Sequence, residues 1–246
     1  MENVNTENDQ LILISGFSGT GKSASLRNIR NQEKWIYCNC ESGKRLPFKN
    51  NFKVSKIDDP VKVLQCFDFA IQNPDKVDGI IIDSLTFLMD MYESVYVLRA
   101  QNGMKAWSDF QQYFKTLMQD KIVKFNKPVI LIAHVMDQLD EKEMAVKTFI
   151  PIKGALKGTG VEAYVSTNVA AKKITIKELE NYHSDLLNIS DEERELGFKY
   201  VFQTRLTPKT LGERIRSPMG LFTKEQTYID NDAQLLLDYL NKYYGE

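Results

Sequence analysis

The sequence predicts an α/β fold with a mostly parallel central sheet flanked by helices, closed by C-terminal antiparallel strands. Three observations lead there. Strand-like runs begin at residues 11, 35, 78 and 128 and alternate with helical patterns, as parallel strands joined by crossover helices do. The first run, Leu11-Ile12-Leu13-Ile14, leads directly into Gly16-Phe17-Ser18-Gly19-Thr20-Gly21-Lys22-Ser23. The third, Gly79-Ile80-Ile81-Ile82-Asp83-Ser84, is apolar throughout and ends in an acid, the pattern of a central strand covered on both faces.

The glycine-rich stretch spells G-x-x-x-x-G-K-S, a P-loop. A triphosphate needs backbone N–H groups converging on its oxygens, and glycines allow the chain to come that close. A helix starting near Gly21 would aim its unpaired N–H groups at the phosphates. Lys22 supplies a point charge for the β- and γ-phosphates, and the Ser23 hydroxyl is a ligand for Mg²⁺. The candidate nucleotide-binding set is Gly16, Phe17, Ser18, Gly19, Thr20, Gly21, Lys22, Ser23 and Ser25, with ATP and Mg²⁺ as cofactors. Asp83 is the second candidate metal residue, placed by its strand to hold Mg²⁺ through water beside Ser23.

The remaining elements follow in order. Residues 1–10 are polar and read as a flexible N-terminus. Residues 35–39 form the second strand and end at a turn, Cys40-Glu41-Ser42-Gly43. Residues 52–57 alternate with period two, a short strand. Pro60 opens a helix to about residue 71. Two helices follow Ser84, marked by Leu85, Leu88, Met89, Tyr92 and Tyr96, then by Trp107, Phe110, Phe114, Leu117 and Met118. These stripes read as core packing. Residues 128–133 form a buried strand ending at His134. Residues 137–143 read as an acidic mobile loop, and 146–152 as a strand. Residues 163–176 read as a strand region, and 165–176 and 198–206 as an antiparallel pair. Between them, 177–197 is charged and helical, with a capping box at Ser190 to Glu193, and reads as a surface insertion. Residues 231–244 form a closing amphipathic helix with Leu236, Leu240 and Tyr243 on one face. Residues 11–246 thus constitute a single domain.

Composition narrows the function classes. The 246 residues are 43% hydrophobic and carry 32 Lys+Arg against 33 Asp+Glu. There is no global basic excess, so any nucleic-acid contact must come from a local patch. Cys38, Cys40 and Cys66 have no matching Cys/His pair, which disfavours a structural zinc and suggests reduced core thiols. No apolar run approaches ~18 residues, so no membrane span is expected. With no signal peptide and an odd cysteine count, the cytoplasm is the expected location.

Ligands of open parallel sheets bind at the carboxyl ends of the strands. The groups there are the P-loop, Glu41, Asp83, Ser84 and His134. Hydrolysis needs a group that orients or deprotonates water, and Glu41 is the candidate, against an ordinary loop acid. His134 is a candidate sensor of the γ-phosphate, against a simply hydrogen-bonded strand end. The candidate catalytic set is Glu41, Lys22, His134 and Arg216. Among the late cations Lys153, Lys157, Arg214 and Arg216, three roles stay open: an arginine finger in cis or from a neighbour, contact with nucleic-acid phosphates, or a solvated surface. Phe48 is the ring considered for stacking on a base.

The order of these motifs resembles the phage RecA-like P-loop ATPases of the single-strand-annealing (Sak-type) recombination group, often described as AAA-family phage nucleotide-binding proteins. The resemblance rests on G-F-S-G-T-G-K-S followed by S-L-R-N, C-E-S-G-K-R-L-P-F at residues 40–48, G-I-I-I-D-S at 79–84, the strand ending Ala133-His134, and R-S-P-M-G-L-F at 216–222. General P-loop enzymes lack the 46–48 and 216–222 segments. The resemblance implies a RecA-like core, ATP and Mg²⁺ binding, and work on single-stranded DNA in phage recombination or replication within the host cytoplasm. It implies a homo-oligomer or phage recombination partners, Glu41 as the catalytic glutamate and His134 as the sensor. The chain departs from the compact form by the 177–197 insertion and by extra glycines between 153 and 160. Two other function classes are a nucleotide-gated binding module with little hydrolysis and a P-loop small-molecule kinase. The kinase would need an arginine-rich lid, which neither the acidic loop nor the late basic turn resembles.

Overall fold

Alternation along each central strand decides the architecture. Residues at successive positions of a strand point to opposite faces. In the computed structural model, which describes residues 7–245, Leu11, Leu13, Ile80, Ile82, Val129 and Leu131 pack into one buried cluster. Their neighbours Ile12, Ile14, Ile81, Ile130 and Ile132 pack into another. The sheet is therefore a middle layer with a core on each face.

In chain order the strands and helices are β1 (Leu11–Gly16), β2 (Trp35–Asn39), β3 (Lys53–Lys56), α1 (Val61–Gln72), β4 (Gly79–Asp83), α2 (Leu85–Tyr92), α3 (Gly103–Lys115), α4 (Ile122–Phe125), β5 (Val129–His134), β6 (Met136–Asp140), β7 (Ala145–Phe149), β8 (Thr167–Thr175), α5 (Ile176–Leu179), α6 (Asp191–Leu196), β9 (Phe198–Gln203), β10 (Tyr228–Asp230) and α7 (Ala233–Tyr244). The main sheet has eight strands in the order β10-β9-β8-β1-β5-β4-β2-β3. From β3 to β8 every pairing is parallel, and β9 and β10 pair antiparallel at the far edge. The mostly parallel sheet and its C-terminal antiparallel strands match the expected P-loop NTPase core. Helices α1 to α4 cover the first core with Phe67, Phe110, Phe114 and Ile122. Helix α7 covers the second with Leu236, Leu237 and Leu240. Polar caps fix the helix starts: Ser84 on α2, Asn102 on α3 and Asp232 on α7 accept from backbone N–H groups of the first turn. Among the described residues no helix is long and apolar enough to cross a membrane.

Several expectations are corrected. Residues 1–6 of the expected flexible N-terminus lie outside the described residues. Asn8, within the rest of it, is tied down by its side-chain amide, which donates to the carbonyls of Ile122 and Lys127 at 3.1 and 3.0 Å. The expected loop at 137–143 is largely strand β6, in a two-stranded hairpin with β7. Its side chains are mostly exposed, so no buried face marks it in the sequence. The charged segment 177–197 is helical only at its two ends, α5 and α6. The expected capping box is present, but Leu179 and Leu186 are buried, so this segment contributes to the core instead of lying wholly on the surface. Tyr243 of α7 is exposed, and Leu237 takes the inward position. Helix formation after the P-loop stops at a six-residue 3-10 turn, Ser23–Asn28.

Trp35 lies directly opposite Gly79 in the β2–β4 ladder. A Cβ on Gly79 would sit 2.4 Å from the indole ring, so the glycine is there to make room for it. Overpacking of this kind costs roughly 1–3 kcal/mol. Gly79→Ala is expected to lower the urea unfolding midpoint by that amount of stability, while Val63→Ala, a deletion in the opposite core, destabilises by leaving a cavity instead.

Candidate functional site

Parallel register brings the strand ends together. Gly16 stands opposite His134 in the β1–β5 ladder, Asp83 opposite Ile132, and Asn39 opposite Asp83. Asp83 lies two residues beyond Ile81 on β4 and so shares its face, the one that also carries the P-loop turn, with Ile81, Leu26 and Ile29 in the same core. The cavity at this edge has a volume of about 530 Å³. Ser18, Gly19, Gly21, Lys22, Ser23, Glu41, Asp83 and His134 all line it.

The P-loop follows its spelling. Gly19 and Gly21 have φ of +74° and +89°, a region that favours glycine. The Lys22 side chain is buried and turns back over the loop. Its ammonium donates to the Gly16 and Phe17 carbonyls at 2.9 and 2.7 Å. Burial lowers its pKa to about 8, against the opposing pull of Asp83 and Glu41. Gly16, Phe17 and Thr20 face the other way, toward a second cavity of about 420 Å³. Two of them contribute through their backbones, by the carbonyls that hold Lys22. Ser25 is the clear correction. It is fully buried, and its hydroxyl donates to the Lys22 carbonyl at 2.6 Å. It braces the turn and does not line the phosphate cavity.

Asp83 is 2% exposed. Its Oδ2 accepts from the Ser23 hydroxyl and from the Tyr37 hydroxyl, both at 2.8 Å. Its Oδ1 is buried without a partner, and burial raises its pKa. An orphaned carboxylate oxygen beside a serine hydroxyl fits Mg²⁺, which keeps most of its waters and takes one or two protein ligands plus phosphate oxygens. Among the described residues no cluster of three His, Cys, Asp or Glu side chains that could hold a metal ion exists. Tyr37, which fixes the carboxylate, was not foreseen. The β2–β4 register puts it opposite Ile81, on the same face as Asp83, which the sequence alone does not show.

Glu41 and His134 meet. His134 Nε2 lies 3.0 Å from Glu41 Oε1, and His134 Nδ1 lies 3.4 Å from the Lys22 ammonium. An ammonium can only donate, so Nδ1 accepts and Nε2 carries the proton given to Glu41. The Lys44 ammonium donates to the other Glu41 oxygen at 2.7 Å. The His134 hydrogen bond, with that of Lys44 and against burial, holds the Glu41 pKa down at about 2. A continuous chain therefore runs Lys22, His134, Glu41, Lys44.

Other sequence candidates lie elsewhere. Arg216 does not line this cavity. Its guanidinium donates to the Glu162 carbonyl at 3.3 Å, and its backbone pairs with Asn168. Arg214 pairs with the Glu162 carboxylate at 3.1 Å, and Lys153 pairs with Glu93. Lys157 lines a groove beside the β6–β7 hairpin. Phe48 is half-buried, packs against the second core and does not line this cavity.

The Lys22 shift has a consequence for binding. A phosphate chain needs the ammonium, and with a pKa near 8 that form becomes scarce as the pH rises. Raising the pH from about 7 to about 9 is expected to weaken nucleotide binding roughly tenfold in isothermal titration calorimetry. The lowered pKa fixes the direction, and a flat profile would contradict it.

A family model described as an AAA domain matches residues 8–177, over half of the chain. None of the curated proteins compared with the chain matches it. The matched span holds Lys22, Ser23, Glu41, Asp83 and His134, while β9, β10 and α7 lie beyond it. A P-loop after β1, an acid at the end of β4 and this match agree, and the chain belongs to the AAA domain family of P-loop NTPases.

Proposed function

We propose that the protein is a Mg²⁺-dependent ATPase acting on single-stranded DNA in phage recombination or replication, as a homo-oligomer or with phage recombination partners. The observation that carries the ATPase reading is the convergence of Lys22, Ser23, Asp83, Glu41 and His134 on one cavity. Ser23 and Asp83 would hold Mg²⁺, which when bound neutralises charge on the β- and γ-phosphates. Lys22 exchanges two backbone carbonyls for phosphate oxygens. Water attacks the γ-phosphorus in line, and the bond to the ADP oxygen breaks.

Glu41 serves this step by orienting water. A carboxylate with a pKa near 2 is a weak proton acceptor, but it accepts hydrogen bonds well. His134 is suited to sensing because it touches both Lys22 and Glu41. When Lys22 moves to the phosphates, His134 loses a partner. Two residues later the chain enters the β6–β7 hairpin, so the loss is felt where β6 begins.

The DNA part of the proposal is supported by the family-like segments. Arg45, Leu46 and Pro47, from the first of them, line the phosphate cavity. The groove beside the hairpin carries Lys142, Lys147, Lys157 and Arg214 against Asp140 and Glu141; Lys147 is paired with Asp140 and Glu143 and Arg214 with Glu162, so the support for backbone contacts rests on Lys142 and Lys157. Arg216 faces away from its own chain's cavity. Its guanidinium already donates to the Glu162 carbonyl, and three roles stay open to it: a neighbouring copy's nucleotide, the DNA backbone, or a solvated basic surface.

A second reading, a nucleotide-gated module with little hydrolysis, has one observation in its favour: both Glu41 oxygens are engaged, by His134 and Lys44. Glu41→Gln separates the two. The ATPase loses turnover by about a hundredfold or more while keeping ATP affinity; measurable turnover that stays unchanged overturns Glu41 as the catalytic residue, and a wild type that binds ATP without measurable turnover assigns the gated module. Lys22→Ala is expected to abolish ATP binding in a direct binding assay. Single-stranded DNA is expected to stimulate hydrolysis, with an affinity that falls steeply as salt is raised. A protein that binds no single strand at low salt does not act on DNA.

A further inference from the structure

The cavity does not end at the phosphate-handling groups. It continues past Gly21 to a wall made by β9 and by the residue that follows β10. Tyr200 and Asn231 stand there, with Glu193, Lys199 and Arg27 around them. A Cβ on Gly21 would lie 3.0 Å from the Tyr200 ring and 3.3 Å from Asn231 Oδ1. The wall therefore abuts the P-loop itself.

Asn231 is 4% exposed, and its Nδ2 is buried with no hydrogen-bond partner. A buried amide N–H left unpaired is costly, and native structures rarely tolerate one without a reason. Its position is firmly held. The Asn231 carbonyl accepts from Arg27 at 2.8 Å, and the next residue, Asp232, both caps α7 and accepts from Asn28 at 2.6 Å. Arg27 and Asn28 belong to the P-loop turn, so Asn231 is locked to the phosphate end of the site.

Tyr200 is 39% exposed. The edge of Phe198 and the ammonium of Lys173 brace its ring, at 5.8 and 5.3 Å between centres. Lys199 brings no free charge to the wall, because Glu193 and Asp230 hold its ammonium at 2.7 and 3.2 Å. An aromatic ring, an unpaired amide and a matched lysine suit an uncharged, flat, polar-edged group better than another phosphate.

We propose that Tyr200 and Asn231 hold the nucleoside half of the bound nucleotide. The base lies against the Tyr200 ring, and the Asn231 amide donates to a nucleoside acceptor. The proposal rests on the reading of the cavity as a nucleotide site, and it gives the bound molecule a direction. The phosphates lie toward Lys22 and Asp83, and the nucleoside lies beyond Gly21. Both residues fall outside the span matched by the AAA domain model.

The test compares ATP with inorganic tripolyphosphate, each with Mg²⁺, on the full-length protein by isothermal titration calorimetry. Asn231→Ala and Tyr200→Ala are each expected to weaken ATP binding about tenfold and to leave tripolyphosphate binding unchanged. Retained tripolyphosphate binding also shows that the P-loop of each variant is folded. Variants that bind ATP as well as the wild type does would place the nucleoside elsewhere. Equal loss of both ligands would make these residues supports of the loop only, and would overturn the proposal. If the wild type binds tripolyphosphate but gains nothing from the nucleoside, the proposal fails while the phosphate site stands. A wild type that binds neither ligand removes the nucleotide reading and this proposal together.

Discussion

The parallel ladder β1–β5–β4–β2 places the phosphate-side groups of the site. Parallel strands end on one side of a sheet, and here they end at Gly16, His134, Asp83 and Asn39. The chain then leaves each strand at the same edge, as the P-loop, the start of the hairpin, the cap of α2 and the Glu41 turn. No long connection has to be positioned separately. The ladder is specified in turn by the two-sided alternation of Ile and Leu, because a one-residue slip would exchange the two cores. Packing deep in the sheet therefore sets distances at its edge.

The same logic explains what the sequence made legible. Strands buried on both faces read as continuous apolar runs, and β1, β2, β4 and β5 were all visible that way. The P-loop and the acid ending β4 were visible because their chemistry requires particular residues at fixed spacings. Glu41 and His134 could be proposed from their places after strands. Contacts across the sheet could not be read. Tyr37 and Asp83 are bonded at 2.8 Å across 46 positions of chain, and local periodicity carries no trace of that. Strand β6 was missed because its side chains face solvent, and β10 because three residues are too few to show a pattern. Ser25 looked like part of the phosphate cradle from its place in the turn. Its hydroxyl instead bonds backward to Lys22, as serines near helix starts often do.

The antiparallel edge has a part in the site as well. Strands β8, β9 and β10 extend the sheet beyond β1, and the polypeptide returns along α7 over the P-loop turn. Arg27, Asn28 and Arg30 reach across to residues 231–238. The C-terminal segment therefore braces the loop that the N-terminal segment supplies. Tyr200 and Asn231 stand where that brace meets the cavity. The two ends of the chain complete one pocket, which neither encloses alone.

Charge suits the site to an anion and a cation arriving together. In the protein alone, burial pushes Lys22 toward neutrality and lifts the Asp83 pKa, so each opposing group is stabilised less than it would be in water. A polyphosphate beside Lys22 favours its charged form further, but placed alone it would lie close to the Asp83 carboxylate. A divalent cation beside Asp83 favours its carboxylate form, but placed alone it would lie close to the ammonium. Arriving as one Mg²⁺–polyphosphate unit, each partner offsets the repulsion that the other meets. The unpaired Asp83 oxygen and the Lys22 ammonium parked on two backbone carbonyls are then the two halves of one receptor. Each is held short of its best partner until both partners come together.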